Sequence, residues 1–354
     1  MSEEVVEQPV KRKRGRPRKS ETVTSVKSAP KKTKAIKKSS EDLEIKVASK
    51  RQLMLFEDVD TDLSVFKDDM STMEHPFFSV SHNVDTSIFE YERGDVRIRV
   101  IPTMAGRPTQ NDKDFLIYLA SKFQRKQFDD PNDILLYRRI EVSLSDFARV
   151  THRSMSGNLA ASFLRTLERL RGATIQTNIR MSADDLEAIH GFSFLDEYKI
   201  LRESSGRGVL KAEVTISEWY AKQIRDRNVL TIDSNYFDLK RPMDKRLYEL
   251  IRKHTGYQPV FTIGLDILKD KMGVAQERHI RFFRSQVRQI VLRNELPNYD
   301  LAFDAKADKL VVFIKDHGAV FDWLMKNNKM DWYGTLFTKE NNQKKNKSKV
   351  LNLE

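Results

Sequence analysis

Cysteine is absent from all 354 residues, which removes disulfides, thiolate metal sites and cysteine nucleophiles together. Long apolar runs are missing as well. No stretch of about 18 consecutive apolar residues occurs, and the N-terminus lacks the apolar core of a signal peptide. The expectation is a soluble protein of a reducing cytoplasm. No G-x-x-x-x-G-K-S/T phosphate loop is present, which argues against an ATP-driven machine. The 7 histidines include no His-x-His pair, so the metal motif of a rolling-circle nickase is lacking, although 10 tyrosines would have allowed a nucleophile. H-E-x-x-H and G-x-S-x-G are missing too. These absences predict binding without catalysis, and neither a cofactor nor a metal.

What the chain does have is charge, unevenly placed. The formal net charge is +12. Residues 1–50 carry 15 Lys/Arg against 7 Asp/Glu and residues 339–354 carry 5 against 2, so only +1 is left for residues 51–338. Any nucleic-acid affinity of that body must therefore come from local patches. Residues 1–50 contain no aromatic residue and are rich in Lys, Ser, Thr and Glu, a composition that predicts a disordered arm. The Lys/Asn tail, 339–354, is expected to behave alike. Length suggests roughly two domains between them.

Inside the arm, Arg14-Gly15-Arg16-Pro17, followed by Arg18, resembles the core of an AT-hook. The resemblance implies binding in the minor groove of A·T-rich DNA. Gly15 would let the backbone sit on the groove floor, Pro17 would keep the chain extended, and Arg14 and Arg16 would seek the negative potential of a narrow groove. A plain polybasic tail, or an import signal in a eukaryotic host, competes with that reading.

The body reads as one element order used twice. A helix from Lys113 to about Gln127, with Asn111 or Asp112 as its cap, is followed by a strand pattern over 134–142. A short helix over 144–150 follows, with a capping-box-like start at Ser143. A longer helix over 156–171 buries Leu159, Phe163, Leu167 and Leu170. Its other side carries Asn158, Ser162, Arg165 and Arg169, within about 60° of one another. Strand patterns follow at 174–179, 192–201 and 209–216. The second cycle starts at Pro242, a residue suited to a helix's first turn. It runs through a helix to His254, a strand over 260–263, a short helix over 265–272 and a helix over 277–292, then strands over 299–303 and 310–314. Ile280, Phe283, Val287 and Ile290 give the later helix an apolar face; Arg281, Arg284 and Arg288, with Arg278 ahead of them, form a guanidinium stripe beside it. Helix, turn, basic helix and ribbon make a winged helix-turn-helix, whose second helix enters the major groove. One basic flank alone is usually only a solvated surface. Two in matching positions predict an α+β chain with tandem winged helices. Its expected parts are the arm (1–50), a first winged domain (51–227), a second (228–316), a C-terminal helical segment (317–338) and the tail (339–354). The arginines can reach guanine edges or simply hold phosphates, and sequence leaves both open. For residues 67–80, composition predicts only an ordered loop. His254 is expected to be a half-buried structural histidine.

Several longer motifs resemble the replication initiator protein A family of bacterial plasmids and some phages. They are Lys67-Asp68-Asp69-Met70-Ser71-Thr72-Met73-Glu74-His75-Pro76-Phe77-Phe78; Asn111-Asp112-Lys113-Asp114 with Ile117-Tyr118; Leu167 to Asn178; and Arg241-Pro242 with Arg246 to Leu250 and Arg252-Lys253-His254. The likeness spans roughly residues 67–300. It implies an initiator that binds direct repeats in double-stranded origin DNA, helps open adjacent A·T-rich duplex and recruits host replication proteins, such as an initiator or helicase. Related proteins also repress their own promoter as homodimers. It supplies no catalytic residues, and the arginines named above rest on helical geometry alone. A repressor without replication activity and a protein-binding scaffold are the competing functions.

Overall fold

The computed structural model describes residues 63–125, 137–180, 189–202, 210–226 and 228–332. The AT-hook-like residues Arg14, Gly15, Arg16, Pro17 and Arg18, and the basic tail, lie outside them. The stretch expected to be loop instead forms β1 (Phe66–Asp69) and a short α1 (Met70–Glu74). The Asp69 carboxylate caps α1, accepting the backbone N–H of Thr72 at 2.8 Å. Sequence periodicity missed this because both aspartates are buried, against the usual rule for acidic side chains. After the hairpin of β2 (Phe89–Arg93) and β3 (Val96–Ile101) comes α2 (Lys113–Arg125), whose Phe115, Leu116, Leu119 and Phe123 are buried.

The first cycle continues with β4 (Arg139–Ser143), α3 (Leu144–Val150) and α4 (Gly157–Gly172). Ser143 sits in extended backbone at the start of α3, but its hydroxyl lies 2.6 Å from that of Ser145 and does not cap the helix. Two short strands then leave the cycle. β5 (Thr174–Thr177) and β6 (His190–Phe192) join the hairpin in the sheet β2–β3–β5–β6. The first ribbon is therefore β7 (Leu195–Arg202) with β8 (Leu210–Ile216), and β8 pairs back to β4, giving the order β4–β8–β7.

After α5 (Glu218–Arg225) and β9 (Val229–Ile232), the second cycle repeats the plan. α6 (Pro242–Thr255), β10 (Val260–Gly264), α7 (Leu265–Lys271), α8 (Ile280–Arg293), β11 (Tyr299–Asp304) and β12 (Lys309–Ile314) follow in turn. The sheet order, β10–β12–β11, matches the first. Gly273 closes α7 with φ +68°, and a Cβ there would meet the Pro76 side chain at 2.7 Å, so both conformation and space require glycine. Residues of β12 alternate between two cores. Leu310 and Val312 face the main one, while Val311 and Phe313 face a second one sealed by α9 (His317–Lys326) through Val320 and Leu324.

A polar seam joins the two cycles. β1 pairs antiparallel with β9, Phe66 opposite Ile232. Lys113 of α2 lies fully buried, 2.9 Å from Asp68 and 2.8 Å from Glu249 of α6. Glu249 also accepts hydrogen bonds from Tyr236 and Gln110. Arg246, buried as well, donates to the carbonyls of Thr72, Met73 and Lys271. Asp114 takes Lys245 at 2.6 Å and Arg153 at 2.7 Å. One apolar core runs past this seam from Leu63 to Val312, so the boundary expected at 227/228 does not separate two cores.

Candidate nucleic-acid interface

Helix α8 is fixed from below by Phe283, Val287, Ile290 and Val291, all buried. Full burial of one such side chain stabilises by roughly 1.5–3 kcal/mol, so four of them set which face is left over. Its start is capped by His279, whose Nδ1 accepts the backbone N–H of Arg281 at 3.2 Å. The exposed residues are Arg281, Phe282, Ser285, Arg288, Gln289 and Leu292. The Arg281 guanidinium rests 4.9 Å from the Phe282 ring centroid, and that of Arg288 lies 5.0 Å from the ring of Phe303 on β11. Arg278 is exposed in the turn just before the helix.

Arg284 departs from the expected stripe. It binds Asp308, in the turn between β11 and β12, through two hydrogen bonds of 2.8 and 2.7 Å. The pair raises the guanidinium's pKa and lowers that of the Asp308 carboxyl. Geometry explains the difference. At 100° per residue Arg284 is only about 100° from Phe283, whereas Ser285 is about 200° from it. The stripe was drawn by charge; drawn by angle from the apolar face, it would have included Ser285 and Gln289. These two are the residues that sequence reasoning missed.

Helix α4 divides its expected set further. Asn158 and Arg165 are exposed and Ser162 is half-buried, and the Arg165 Nε turns back to the carbonyl of Ala161 at 3.3 Å. Arg169 belongs to the fold: its guanidinium holds Asp112 at 2.7 and 2.6 Å, and Thr166 donates to the same carboxylate at 2.6 Å. Burial alone would lower the Arg169 pKa, and the bonds to Asp112 raise it instead. Asp112, expected to cap α2, spends its oxygens on Arg169, Thr166 and Thr109. Glu168 stands exposed on the outward side of α4.

A cleft of about 560 Å³ opens beside the start of α4, lined by Ser156, Asn158, Ser162, Arg153 and Lys240 among others. Another, of about 550 Å³, opens beside α8 and includes Arg241, Arg278, Gln286, Gln289 and Arg293. His254 is half-buried, with Nε2 2.8 Å from Glu74 and its ring stacked on Phe261. Among the described residues, no helix is long and apolar enough to cross a membrane.

Comparison with known proteins adds identity to this geometry. The model of the family described as replication initiator protein A matches residues 67–301. The chain belongs to the replication initiator protein A family. A replication protein of Wigglesworthia glossinidia brevipalpis is 32% identical over 257 residues, covering 72% of this initiator and 91% of that protein. Among solved structures, two crystal structures of RctB domains 2 and 3 align at 14% identity, with TM-scores of 0.47 and 0.43. They cover 67% and 71% of this chain, and 94% and 99% of theirs. The motifs that carried the family likeness lie mostly away from the exposed helix faces. Asp68, Lys113, Asp114, Arg246 and Glu249 of the initiator all sit in the polar seam.

Proposed function

We propose that this initiator binds repeated duplex sites at an origin through two winged helices, with α8 and α4 as the helices that enter the major groove. It acts without chemistry of its own, in the bacterial cytoplasm, on a plasmid or phage replicon. The observation that carries this reading is the doubled plan: helix, strand, two helices and a ribbon, with sheet orders β4–β8–β7 and β10–β12–β11. That plan supports a winged helix-turn-helix, because the element order is the one such a fold uses and the second helix of each copy keeps an exposed face. On α8 that face holds Arg281 and Arg288, which can pair with guanine edges, and Gln289, which suits adenine. The AT-hook-like arm adds contacts to A·T-rich DNA near the site. The reading extends to opening of that DNA and recruitment of host replication proteins, by a monomer or a homodimer, and family membership supports it.

The test is direct. Duplexes tiling the DNA beside the gene are footprinted with the full-length protein, and the same fragments are placed in a replicon lacking its own initiator. Protection of direct repeats spaced by about one helical turn or a multiple, beside an A·T-rich segment, is the expected result. Protection without maintenance of the replicon would make the protein a repressor. Absence of any protected duplex would sink the reading.

A further inference from the structure

The two clefts beside α4 and α8 have neighbouring residues in their walls. Lys240 lines the first and Arg241 the second. Both are exposed, and they immediately precede Pro242, so they stand at the N-terminal end of α6, where the helix dipole favours an anion. Asn158 and Ser162 reach the first cleft from α4. Gln289 reaches the second from α8, and Arg278 joins it from the turn before that helix. Residues 240 and 241 thus bridge the approaches to both helices.

Charge accounting separates this bridge from an ordinary ion-paired surface. The carboxylates lining the two clefts already have partners within the fold. Asp85 is bound by Arg107 at 2.8 Å, Asp114 by Lys245 and Arg153, and Asp244 by Arg293 at 2.8 Å. Arg241 has only long approaches, 3.9 Å to Asp244 and 3.7 Å to Glu295. Lys240 and Arg278 have no ion pair among the described residues. The cations at the bridge therefore exceed the anions there, although the folded body as a whole is nearly neutral.

We propose that Lys240 and Arg241 form a phosphate-binding bridge that holds the sugar-phosphate backbone of duplex DNA between the grooves entered by α4 and α8. This inference rests on the winged-helix reading above. It assigns the bridge a positioning task without sequence preference, because phosphates are the same in every sequence. Each neutralised phosphate releases counterions and contributes about 0.9 to the slope of log affinity against log salt.

The experiment measures binding of full-length wild type, Lys240→Gln and the double variant Lys240→Gln/Arg241→Gln to two duplexes, a protected site and a random sequence, over a salt series. The expected result is a slope shallower by about 0.9 in the single variant and by about 1.8 in the double variant, with the ratio of specific to random affinity unchanged. Far-UV circular dichroism checks that these exposed substitutions leave the fold intact. An unchanged slope in the double variant overturns the bridge while leaving the winged-helix reading in place. A fallen specificity ratio with an unchanged slope also overturns it, by moving the pair to base reading. Wild type that binds neither duplex overturns both. Calorimetric titration with inorganic phosphate closes the other route: a signal in wild type that the double variant lacks would mark a free-anion site and overturn the duplex assignment.

Discussion

Helices α4 and α8 occupy the same place in the same plan, yet their outward faces differ in charge. α8 presents Arg281 and Arg288 with no carboxylate between them, whereas α4 presents Arg165 beside Glu168 and has turned Arg169 inward to Asp112. The backs of the two sheets differ too. That of β4–β8–β7 carries solvated ion pairs, Lys211 with Glu141 and Arg139 with Glu197 and Glu213. That of β10–β12–β11 is apolar and covered by α9. A shared fold plan thus fixes where a helix points, and the side chains opposite its apolar face fix what it can hold. By that measure α8 is the stronger candidate for reading bases, and α4 for positioning the backbone.

The largest expected effect falls on what joins the two cycles. Replacing Glu249 by Ala leaves Lys113 with Asp68 alone and Arg246 with backbone carbonyls only, and removing one partner of a buried ion pair costs about 3–5 kcal/mol. Unfolding by urea should show a single transition at a much lower midpoint. Fluorescence, with Trp219 on α5 and Trp323 and Trp332 near the end, should coincide with circular dichroism. Two separated transitions in wild type would mean that the cycles are independent units and the seam is incidental.

Next in size is the contrast between the helices. Arg281→Ala with Arg288→Ala should cost about 1–3 kcal/mol of discrimination for each arginine that reads a base. Asn158→Ala with Arg165→Ala should weaken binding to specific and random duplexes by the same, smaller factor. Gel-shift competition decides between them, and greater loss of discrimination from the α4 pair would reverse the comparison. A subtler probe is Asp308→Asn. It releases Arg284 from the ribbon turn, and the freed cation should steepen the salt slope by up to about 0.9. No change in slope would mean that Arg284 cannot reach the DNA even when unpaired.

Much of this was legible in the sequence because its periodicities are strong. Phe283, Val287 and Ile290 placed α8, and Leu159, Phe163, Leu167 and Leu170 placed α4, since helical spacing and burial coincide there. The family likeness was legible from motifs as long as Lys67–Phe78, and the family match covers them. The seam was not legible. Asp68, Lys113 and Glu249 look like surface charges in any local window, and only long-range pairing, 136 residues apart for Lys113 and Glu249, puts them inside. The escape of β5 into another sheet was hidden for the same reason, because strand patterns carry no partner's address. The ion pairs of Arg169 and Arg284 were hidden as well, because each finds a carboxylate, Asp112 or Asp308, that is remote in sequence.

The smallest expected effect is a pH dependence that belongs to the seam and to neither helix. Burial pushes the Asp68 carboxyl up to about 7, against the attraction of Lys113, with Glu249 adding to the rise. Between the ordinary carboxylate range and about 7, the folded chain then keeps a proton that the unfolded chain has released. Stability from this group therefore falls as pH rises through that window. His75 opposes it over much of the same range. Burial lowers its pKa to about 4, so the unfolded chain binds the extra proton and stability rises with pH. Glu74 acts lower still. Hydrogen bonds from His254, Lys253 and Lys271 outweigh its burial and hold it well below the usual carboxylate range, so its contribution is lost only as pH falls through that range. Because the first two partly cancel, the wild-type profile alone is uninformative, and the difference from Asp68→Asn is the quantity to measure. Urea midpoints at about pH 5 and about pH 8 should show the variant gaining on wild type as pH rises, since it carries no buried charge to ionise. A difference that stays constant across the two pH values would place Asp68 outside the titrating seam.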